Sequence, residues 1–423
     1  MSSNRWRRSE HVAYRQSTAG AEADVGWSAA RSSPWEPTVP SRPRAAVDPR
    51  FPAELRHLRL VRGLSLRALA GLVYQGKSLI HELETGRAQP AVDLAGRLDT
   101  ALEAGGALAR LVQPGPETSA EDEARLAYVA RCPRRVDSTA IDALAALLVG
   151  YRRLEDSIGA VAVLPSVASQ LALVTDMVGE ARDPLRPRLV DVAAQWAQFA
   201  GWLHIADAEP AAARTWLAQA LEWATETGNS DLIGTVLSFR GYLAEELGAW
   251  GPMIGLTRVS LRDPFVFVGQ RAYDQFQLAR GLARVGDRTG AADALAAGHD
   301  LALATTAHSD PVPPWHYYRS PAFFALEGGV VHSVLAHDHA GHGEQAARLL
   351  TTGLEGLPAE SQSADWAGVY LCHLAAAYAR IGDAQAAEET LARVRAIADS
   401  TRSPRLAARV PAVARRMRLS ADT

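Results

Sequence analysis

The only lysine of the chain lies in a pattern that is typical of phosphate binding. Lys77 is the single lysine among 44 basic residues, and the residues from Gly71 to Ser78 read G-L-V-Y-Q-G-K-S. In a phosphate loop of this spacing, backbone amides hold the phosphates, the lysine reaches the terminal ones and the hydroxyl group holds magnesium. This chemistry requires a buried strand directly before the loop and a helix directly after it.

The residues before this pattern predict a helix and not a strand. The segment 65–73 is rich in leucine, arginine and alanine, and it begins with Ser65, a favourable N-cap. Leu66, Leu69 and Val73 then recur at helical spacing. The chain also lacks the alternating strands and helices of an α/β sheet. Nucleotide binding is therefore disfavoured, and no cofactor is predicted.

The same residues fit a helix-turn-helix. In this interpretation, residues 65–73 form the supporting helix, residues 74–76 the turn and residues 77–85 the recognition helix. Ala70 is small at the point where the two helices would cross. The N-terminal residues of such a recognition helix face the major groove of DNA. Lys77 would then be its first residue.

Further short helices are predicted around this unit. Pro52 favours the start of a helix and Gly63 its end, while Pro90 opens a later helix before a last turn at 108–112. This makes five short helices in residues 51–113, which leaves no room for a sheet. The apolar side chains expected in the core of this module are Leu55, Leu58, Val61, Ile80, Leu83, Leu94, Leu98 and Leu102.

Two stretches of this module resemble the lambda-repressor-like (Xre-type) family of DNA-binding domains. They are Leu64–Ala70 and Lys77–Arg87, with Pro90 shortly afterwards, and the most specific part is L-E-T-G-R at 83–87. The resemblance implies that the module binds double-stranded DNA. The residues that it places at base edges are Lys77, Ser78, His81 and Glu82, and those that it places at phosphates are Arg67 and Arg87.

Two positions depart from the family pattern. Leu66 cannot form a hydrogen bond at a position where the family often has glutamine, and Glu82 brings a negative charge close to DNA. These residues favour an alternative, in which the chain is a protein-interaction scaffold with a vestigial helix-turn-helix.

The rest of the chain is predicted to be a helical repeat. A linker with Pro and Gly at 114–123 precedes a helical region at 124–418. One unit of the pattern is Leu371, Leu374, Ala375, Tyr378, Gly382, Asp383, Ala387, Leu391 and Val394. The pattern resembles the tetratricopeptide repeat, in which small residues lie where two helices approach. Its anchor alanines are Ala213, Ala291, Ala347 and Ala387.

The intervals between these alanines are 78, 56 and 40 residues, so the repeats are expected to be degenerate. The predicted fold class is all-α. It consists of a small five-helix helix-turn-helix domain, followed by an α-solenoid of degenerate tetratricopeptide-like helix pairs.

The composition excludes several classes of protein. The two cysteines, Cys132 and Cys372, rule out a disulfide framework and a cysteine-based zinc finger, and they favour a reducing cytoplasm. No apolar stretch of 18 residues predicts a membrane span. The almost complete use of arginine is typical of GC-rich coding, as in actinobacteria.

The charge is uneven along the chain. Residues 1–50 carry a net charge of +3 and residues 51–113 a net charge of +2, whereas residues 114–423 carry −8. A basic head on an acidic body suggests that the head meets a polyanion. Residues 1–50 are rich in Pro, Ser and Arg without any periodicity, and they are predicted to be a disordered arm.

A histidine cluster offers a second kind of chemistry. His337, His339 and His342 are close together in the sequence and have the side chains that bind zinc or nickel. The same residues also suit a polar turn between two helices. The turn is favoured, and no metal is predicted.

An aromatic insertion offers a third kind of chemistry. Residues 310–319 contain several prolines together with Trp315, Tyr317 and Tyr318. They are expected to form a packed connecting loop, with a ligand groove as the alternative. The tryptophans that are expected to lie in the core between repeats are Trp196, Trp202, Trp216 and Trp223.

These features together predict a cytoplasmic, sequence-specific DNA-binding transcriptional regulator. The chain is expected to be a homodimer, with the helical repeat mediating dimerisation and sensing an effector or partner. A peptide held by a row of asparagines is disfavoured, because Asn4 and Asn229 are the only asparagines. No triad or paired-carboxylate arrangement predicts an enzyme.

Overall fold

The first helices of the chain pack around a small apolar core. A computed structural model describes residues 46–48, 50–113, 120–131, 136–182, 184–306, 312–336 and 340–421. The first elements are α1 (Phe51–Val61), α2 (Leu66–Leu72), α3 (Lys77–Glu84), α4 (Val92–Leu102) and a 3-10 helix at Ala109–Leu111. Their fully buried side chains include Phe51, Leu55, Leu69, Ile80, Leu83, Leu98 and Leu108. The five-helix module predicted from the sequence is confirmed.

Local chemistry explains where these helices begin and end. Gly63 has a φ of 65°, a left-handed conformation that ends α1 at little cost. The Ser65 hydroxyl group accepts a hydrogen bond from the backbone N–H of Ala68 at 3.1 Å, so Ser65 is the N-cap of α2. Tyr74, in the turn, also has a positive φ of 54°.

One residue of the predicted core lies outside it. Val61 is 68% exposed. The buried stripe of α1 runs through Phe51, Leu55 and Arg59, which are four residues apart. Val61 lies six residues after Leu55, which places it on the far side of the helix. The prediction was wrong because it followed a three-residue spacing to the end of the helix.

A minimal strand pair closes the module. Strand β1 (Ala46–Val47) pairs antiparallel with β2 (Val112–Gln113), and Asp48 N–H donates to the carbonyl of Leu111 at 2.8 Å. The expectation that the module has no strands was therefore wrong at this point. β1 also lies in the segment predicted as a disordered arm. Two-residue strands leave no periodicity in a sequence, which explains why neither was recognised.

The remaining helices form the long body of the molecule. Helix α5 (Ala120–Arg131) begins within the predicted linker, whose residues 114–119 lie outside the described residues. The helices that follow are α6 (Ser138–Ile158), α7 (Ala160–Glu180), α8 (Arg186–Ala206), α9 (Pro210–Thr227), α10 (Ser230–Glu246), α11 (Trp250–Ser260), α12 (Val268–Arg284), α13 (Arg288–Thr306), α14 (Pro321–Leu335), α15 (Ala340–Glu355), α16 (Asp365–Arg380), α17 (Ala384–Thr401) and α18 (Pro404–Ala421).

Most of these helices pack as consecutive pairs. The pairs are α8 with α9, α10 with α11, α12 with α13, α14 with α15, and α16 with α17. The anchor alanines Ala213, Ala291 and Ala387 are fully buried, and Ala347 is 6% exposed. A Cβ atom on Gly201 would lie 2.6 Å from Leu217 Cδ2, so the α8–α9 contact requires a residue without a side chain. The predicted solenoid of helix pairs is confirmed.

The sequence pattern missed the α10–α11 pair. Its connection contains Gly248, with a φ of 68°, but this glycine is followed by Ala249 and not by aspartate. Elsewhere Gly286 and Gly382 precede aspartates that mark the turn. The geometry therefore repeats although the residues that would reveal it do not.

Helix α7 has the length and apolar character of a membrane span, with a mean hydropathy of 1.6, against the expectation that no stretch does. One face of α7 is buried, including Val163, Val167 and Leu171, and the helix packs on α6 and α8. Ser169, Thr175 and Asp176 are exposed on the other face. We interpret α7 as a packed helix of the repeat body.

One ion pair joins the module to the body. Asp48 Oδ1 lies 3.4 Å from Arg402 Nη2, at the end of α17, and the same carboxylate accepts from Arg50 Nη2 at 2.8 Å. Neither side chain of the first pair is fully buried, with exposures of 17% and 30%. Such a partly exposed pair contributes little to stability, about 1 kcal/mol or less.

A buried carboxylate links three helices of the body. Asp274 in α12 is completely buried and accepts hydrogen bonds from Ser238 Oγ of α10 and Ser260 Oγ of α11, each at 2.6 Å. Gln270 Nε2 donates a third at 2.7 Å. Burial raises the pKa of Asp274 to about 6, although these hydrogen bonds oppose the shift.

This environment predicts a pH dependence of stability. An unfolded aspartate has a pKa of about 3.9, so above that pH the folded chain keeps a proton that the unfolded chain has lost. The stabilising contribution is complete below about pH 4 and is lost as the pH rises to about 6, by roughly 3 kcal/mol in total. Asp274→Asn does not titrate. Urea unfolding across this range should show wild type losing stability relative to the variant, and parallel curves would contradict the prediction.

Candidate DNA-binding surface and a cavity in the helical body

The predicted recognition helix presents one face to the core and the other to solvent. Ile80 and Leu83 are fully buried on the inner face of α3. The side chains exposed on α3 are Lys77, Ser78, His81 and Glu82, as predicted for base contacts. No side-chain hydrogen bond or ion pair joins any of these four to another described residue. They are therefore available to an external partner.

The two arginines predicted at phosphates flank this helix. Arg67 is exposed in the first turn of α2, and Arg87 is exposed directly after Gly86, whose φ of 71° turns the chain away from α3. All six predicted contact residues thus lie at the surface of one small module.

The phosphate-loop pattern lies in a different structural context from the one that phosphate binding needs. Gly71 is in helix α2, and Gly76 is the N-cap of α3. The segment that would have to be a strand is a helix. Lys77 and Ser78 are therefore the first two residues of helix α3.

A buried ion pair holds α3 in place, and the sequence analysis did not find it. Arg59 Nε of α1 lies 2.5 Å from Glu84 Oε1 at the end of α3, and Nη2 donates to Glu84 Oε2 at 2.9 Å. Arg59 Nη1 also donates to the carbonyl of Leu64, at 2.8 Å. The available signal was the position of Arg59 on the buried stripe of α1, where a charge needs a partner.

The helical body contains a cavity of about 230 Å³. Its walls come from α6, α8, α10, α11, α12, α14, α16 and α18, and aromatic side chains contribute much of the lining. Trp202 is one of them, with its ring centroid 6.0 Å from that of Phe239. Trp202 packs against the core of the body, as predicted, and also lines the cavity. Trp196 is fully buried as predicted, Trp223 is 7% exposed, and Trp216 packs against the same core.

The aromatic insertion forms one wall of this cavity. Residues 310 and 311 lie outside the described residues, and a 3-10 helix spans Pro314–His316. Trp315 Nε1 donates to Thr235 Oγ1 at 2.9 Å, which ties the insertion to α10. Tyr317 and Tyr318 then line the cavity. The insertion is thus a packed loop and also a cavity wall, so the ligand-groove alternative gains support.

The histidine cluster can be described only in part, because His337 and His339 lie outside the described residues. His332 and His342 are adjacent, with 2.8 Å between their Nδ1 atoms. Burial, together with the proximity of His342, lowers the pKa of His332 to about 4. Among the residues that the structure describes, no group of three or more metal-binding side chains occurs.

Comparison with known proteins identifies the N-terminal module. Residues 50–112 match the family described as a helix-turn-helix domain. No curated protein sequence matches the chain.

Two solved structures are similar to the chain. One is BtubC (BKLC) from P. vanneervenii, with 18% identity over 56% of this chain and 92% of that chain, and a TM-score of 0.38. The other is PlcR from Bacillus thuringiensis in complex with the peptide PapR7 and DNA, with 12% identity over 86% of this chain and 98% of that chain, and a TM-score of 0.29.

Proposed function

We propose that this chain is a sequence-specific DNA-binding transcriptional regulator of the lambda-repressor-like, Xre type. The observation that carries the proposal is the outer face of α3. Four polar side chains that have no side-chain partner among the described residues lie on the exposed face of the second helix of a helix-turn-helix, where such domains meet base edges.

The chemistry of these side chains suits the major groove. Lys77 can donate to guanine or to a phosphate, and Ser78 can bond either base or backbone. Glu82 can accept from the amino group of cytosine, which would turn its unfavourable charge into a source of specificity. Arg67 and Arg87 would neutralise phosphates on either side.

The helical body would mediate dimerisation and would make DNA binding depend on an effector or partner. A two-fold dimer places two recognition helices on a pseudo-palindromic site, one helical turn of DNA apart. The partly exposed contact between Asp48 and Arg402 would allow the module to move when the body changes shape. We place this regulator in the bacterial cytoplasm.

The test is selection of DNA by the purified full-length protein. Fragmented genomic DNA from the source organism should yield a recurrent sequence motif. For that motif, Lys77→Ala should weaken binding by roughly tenfold and, if Lys77 contacts a phosphate, lower the slope of log K against log salt by about 1. Arg87→Ala should weaken binding to all sequences alike.

Arg214→Ala is the matched control, because it removes the same charge from an exposed position on α9. Equal effects of Lys77→Ala and Arg214→Ala would show that α3 does not read DNA. A protein without sequence preference that captures a protein partner after nuclease digestion would support the scaffold alternative instead.

A further inference from the structure

Five of the charged side chains that line the cavity form ion pairs with one another. Arg280 lies 3.0 Å from Glu245 and also pairs with Glu327. Arg409 pairs with Glu246 at 2.6 Å. These pairs satisfy the rule that buried charges need partners, so they leave no unmet demand for a ligand.

Arg152 breaks this rule. Its side chain lines the cavity from α6, and the residue is only 4% exposed. Among the described residues, its Nη1 atom has no hydrogen-bond partner, and Nη2 makes only a long contact of 3.4 Å to the carbonyl of Gln195. Within the described part of the chain, no carboxylate lies within 4.0 Å of it. Burial lowers the pKa of this guanidinium to about 10, so it still carries its charge at neutral pH.

Two carboxyl groups lie one turn further along α6. The protein accommodates them in a different way from the positive charge of Arg152. Asp156 accepts from Tyr317 at 2.6 Å and from Trp366 at 2.8 Å. Glu155 has one oxygen without a hydrogen-bond partner in the described part of the chain, and burial, with a contribution from Asp156, raises its pKa well above the usual range. A buried carboxyl group can take up a proton and become neutral, whereas a guanidinium cannot lose its charge in this way.

Aromatic side chains line the cavity together with Arg152. Its guanidinium group lies 5.8 Å from the centre of the Phe199 ring, and the side chains of Trp202 and Tyr317 line the same cavity. Flat apolar surface beside a buried charge that has no carboxylate partner among the described residues is the usual composition of a small-molecule site. The cavity volume of about 230 Å³ suits a small molecule.

We propose that the cavity binds a small ring-bearing carboxylate, with the carboxylate paired to Arg152 and the ring lying among the aromatic side chains. An Arg–carboxylate pair would satisfy the open Nη1 position. The role of this ligand as an effector of transcription rests on the proposed function, whereas its binding to the cavity does not.

The test compares three ligands that share a phenyl ring and a three-carbon chain. Phenylpropionate, phenylpropanol and phenylpropylamine differ only in a negative, neutral or positive end group. Quenching of tryptophan fluorescence in the full-length protein should show phenylpropionate binding about tenfold more tightly than the other two, the equivalent of one charge-assisted hydrogen bond.

Arg152→Met should reduce the affinity for phenylpropionate to that for phenylpropanol. It should also leave the melting temperature of the ligand-free protein unchanged or raised, because it removes a buried charge whose contact with the carbonyl of Gln195 is long, at 3.4 Å. Arg188→Met, at the surface and 49% exposed, is the control and should alter neither value.

Three results would overturn the proposal. The first is tighter binding of phenylpropylamine that Glu155→Gln abolishes. The second is equal binding of the three ligands, or binding of none of them. The third is a fall in the melting temperature of ligand-free Arg152→Met. The selection of genomic DNA is measured separately on the wild type. Loss of the DNA-binding proposal would therefore leave the ligand preference intact, and the reverse also holds.

Discussion

Replacement of Arg280 by methionine is expected to lower the free energy of unfolding by about 3–5 kcal/mol. Arg280 is the hub of a buried network in which Nε and Nη2 each lie 3.0 Å from the carboxylate of Glu245. Nη1 donates to Glu327, which also accepts from Tyr370. Methionine fills a similar volume but leaves two carboxylates without their cation, and the Glu327 side chain is only 3% exposed.

Urea unfolding followed by tryptophan fluorescence measures this effect. Arg280→Lys keeps the charge but cannot make the bidentate contact, so its loss should be smaller. Arg186→Met serves as the comparison, because the side chains of the Arg186–Glu226 pair are 33% and 39% exposed and its loss should stay within about 1 kcal/mol. Similar losses for Arg280→Met and Arg186→Met would show that the network does not stabilise the body.

Replacement of Glu84 by glutamine should have an effect of similar size within the helix-turn-helix. Glutamine leaves the buried Arg59 side chain, 10% exposed, without a counter-charge. Loss of one partner of a buried pair costs about 3–5 kcal/mol. Because this pair joins α1 to the end of α3, amide hydrogen exchange in α1 and α3 should accelerate while exchange in α12 and α14 stays unchanged.

Two further variants separate charge from folding. Arg59→Met combined with Glu84→Leu removes both charges and should recover much of the lost stability. Glu103→Gln disrupts the exposed pair with Arg62 and should leave exchange unaffected, since the Glu103 side chain is 75% exposed. Full protection of α3 in Glu84→Gln would refute the role of the ion pair.

The helix-turn-helix could be predicted almost entirely from the sequence because its signals are local. Ser65 caps α2 because its hydroxyl group accepts a hydrogen bond from an N–H only three residues away. Gly63 and Gly86 end their helices through their own backbone angles. Ile80 and Leu83 are buried because the helical period places them on one face. Such effects need no knowledge of distant parts of the chain.

The cavity could not be predicted in the same way. Tyr317 and Asp156 are 161 residues apart in sequence, and Trp366 and Asp156 are 210 apart, yet each pair forms a hydrogen bond. Trp202 has the sequence signature of a core residue, because a large aromatic side chain suits packing against a neighbouring helix and lining a cavity equally well. Arg152 follows Leu144 and Leu148 at four-residue intervals on the buried stripe of α6, but this spacing does not show that the surrounding helices leave a cavity there.

The sequence by itself determined the helical character of the module and the body, the face of α3 that meets solvent and the residues exposed there, but not the two short strands. Helical period, capping and glycine conformation act over a few residues, so they can be read along the chain. Only the tertiary structure decided which charges are paired. The stacking of helix pairs brings α6, α8 and the aromatic insertion around one space, where Glu327 meets Arg280 and Arg152 meets no carboxylate among the described residues.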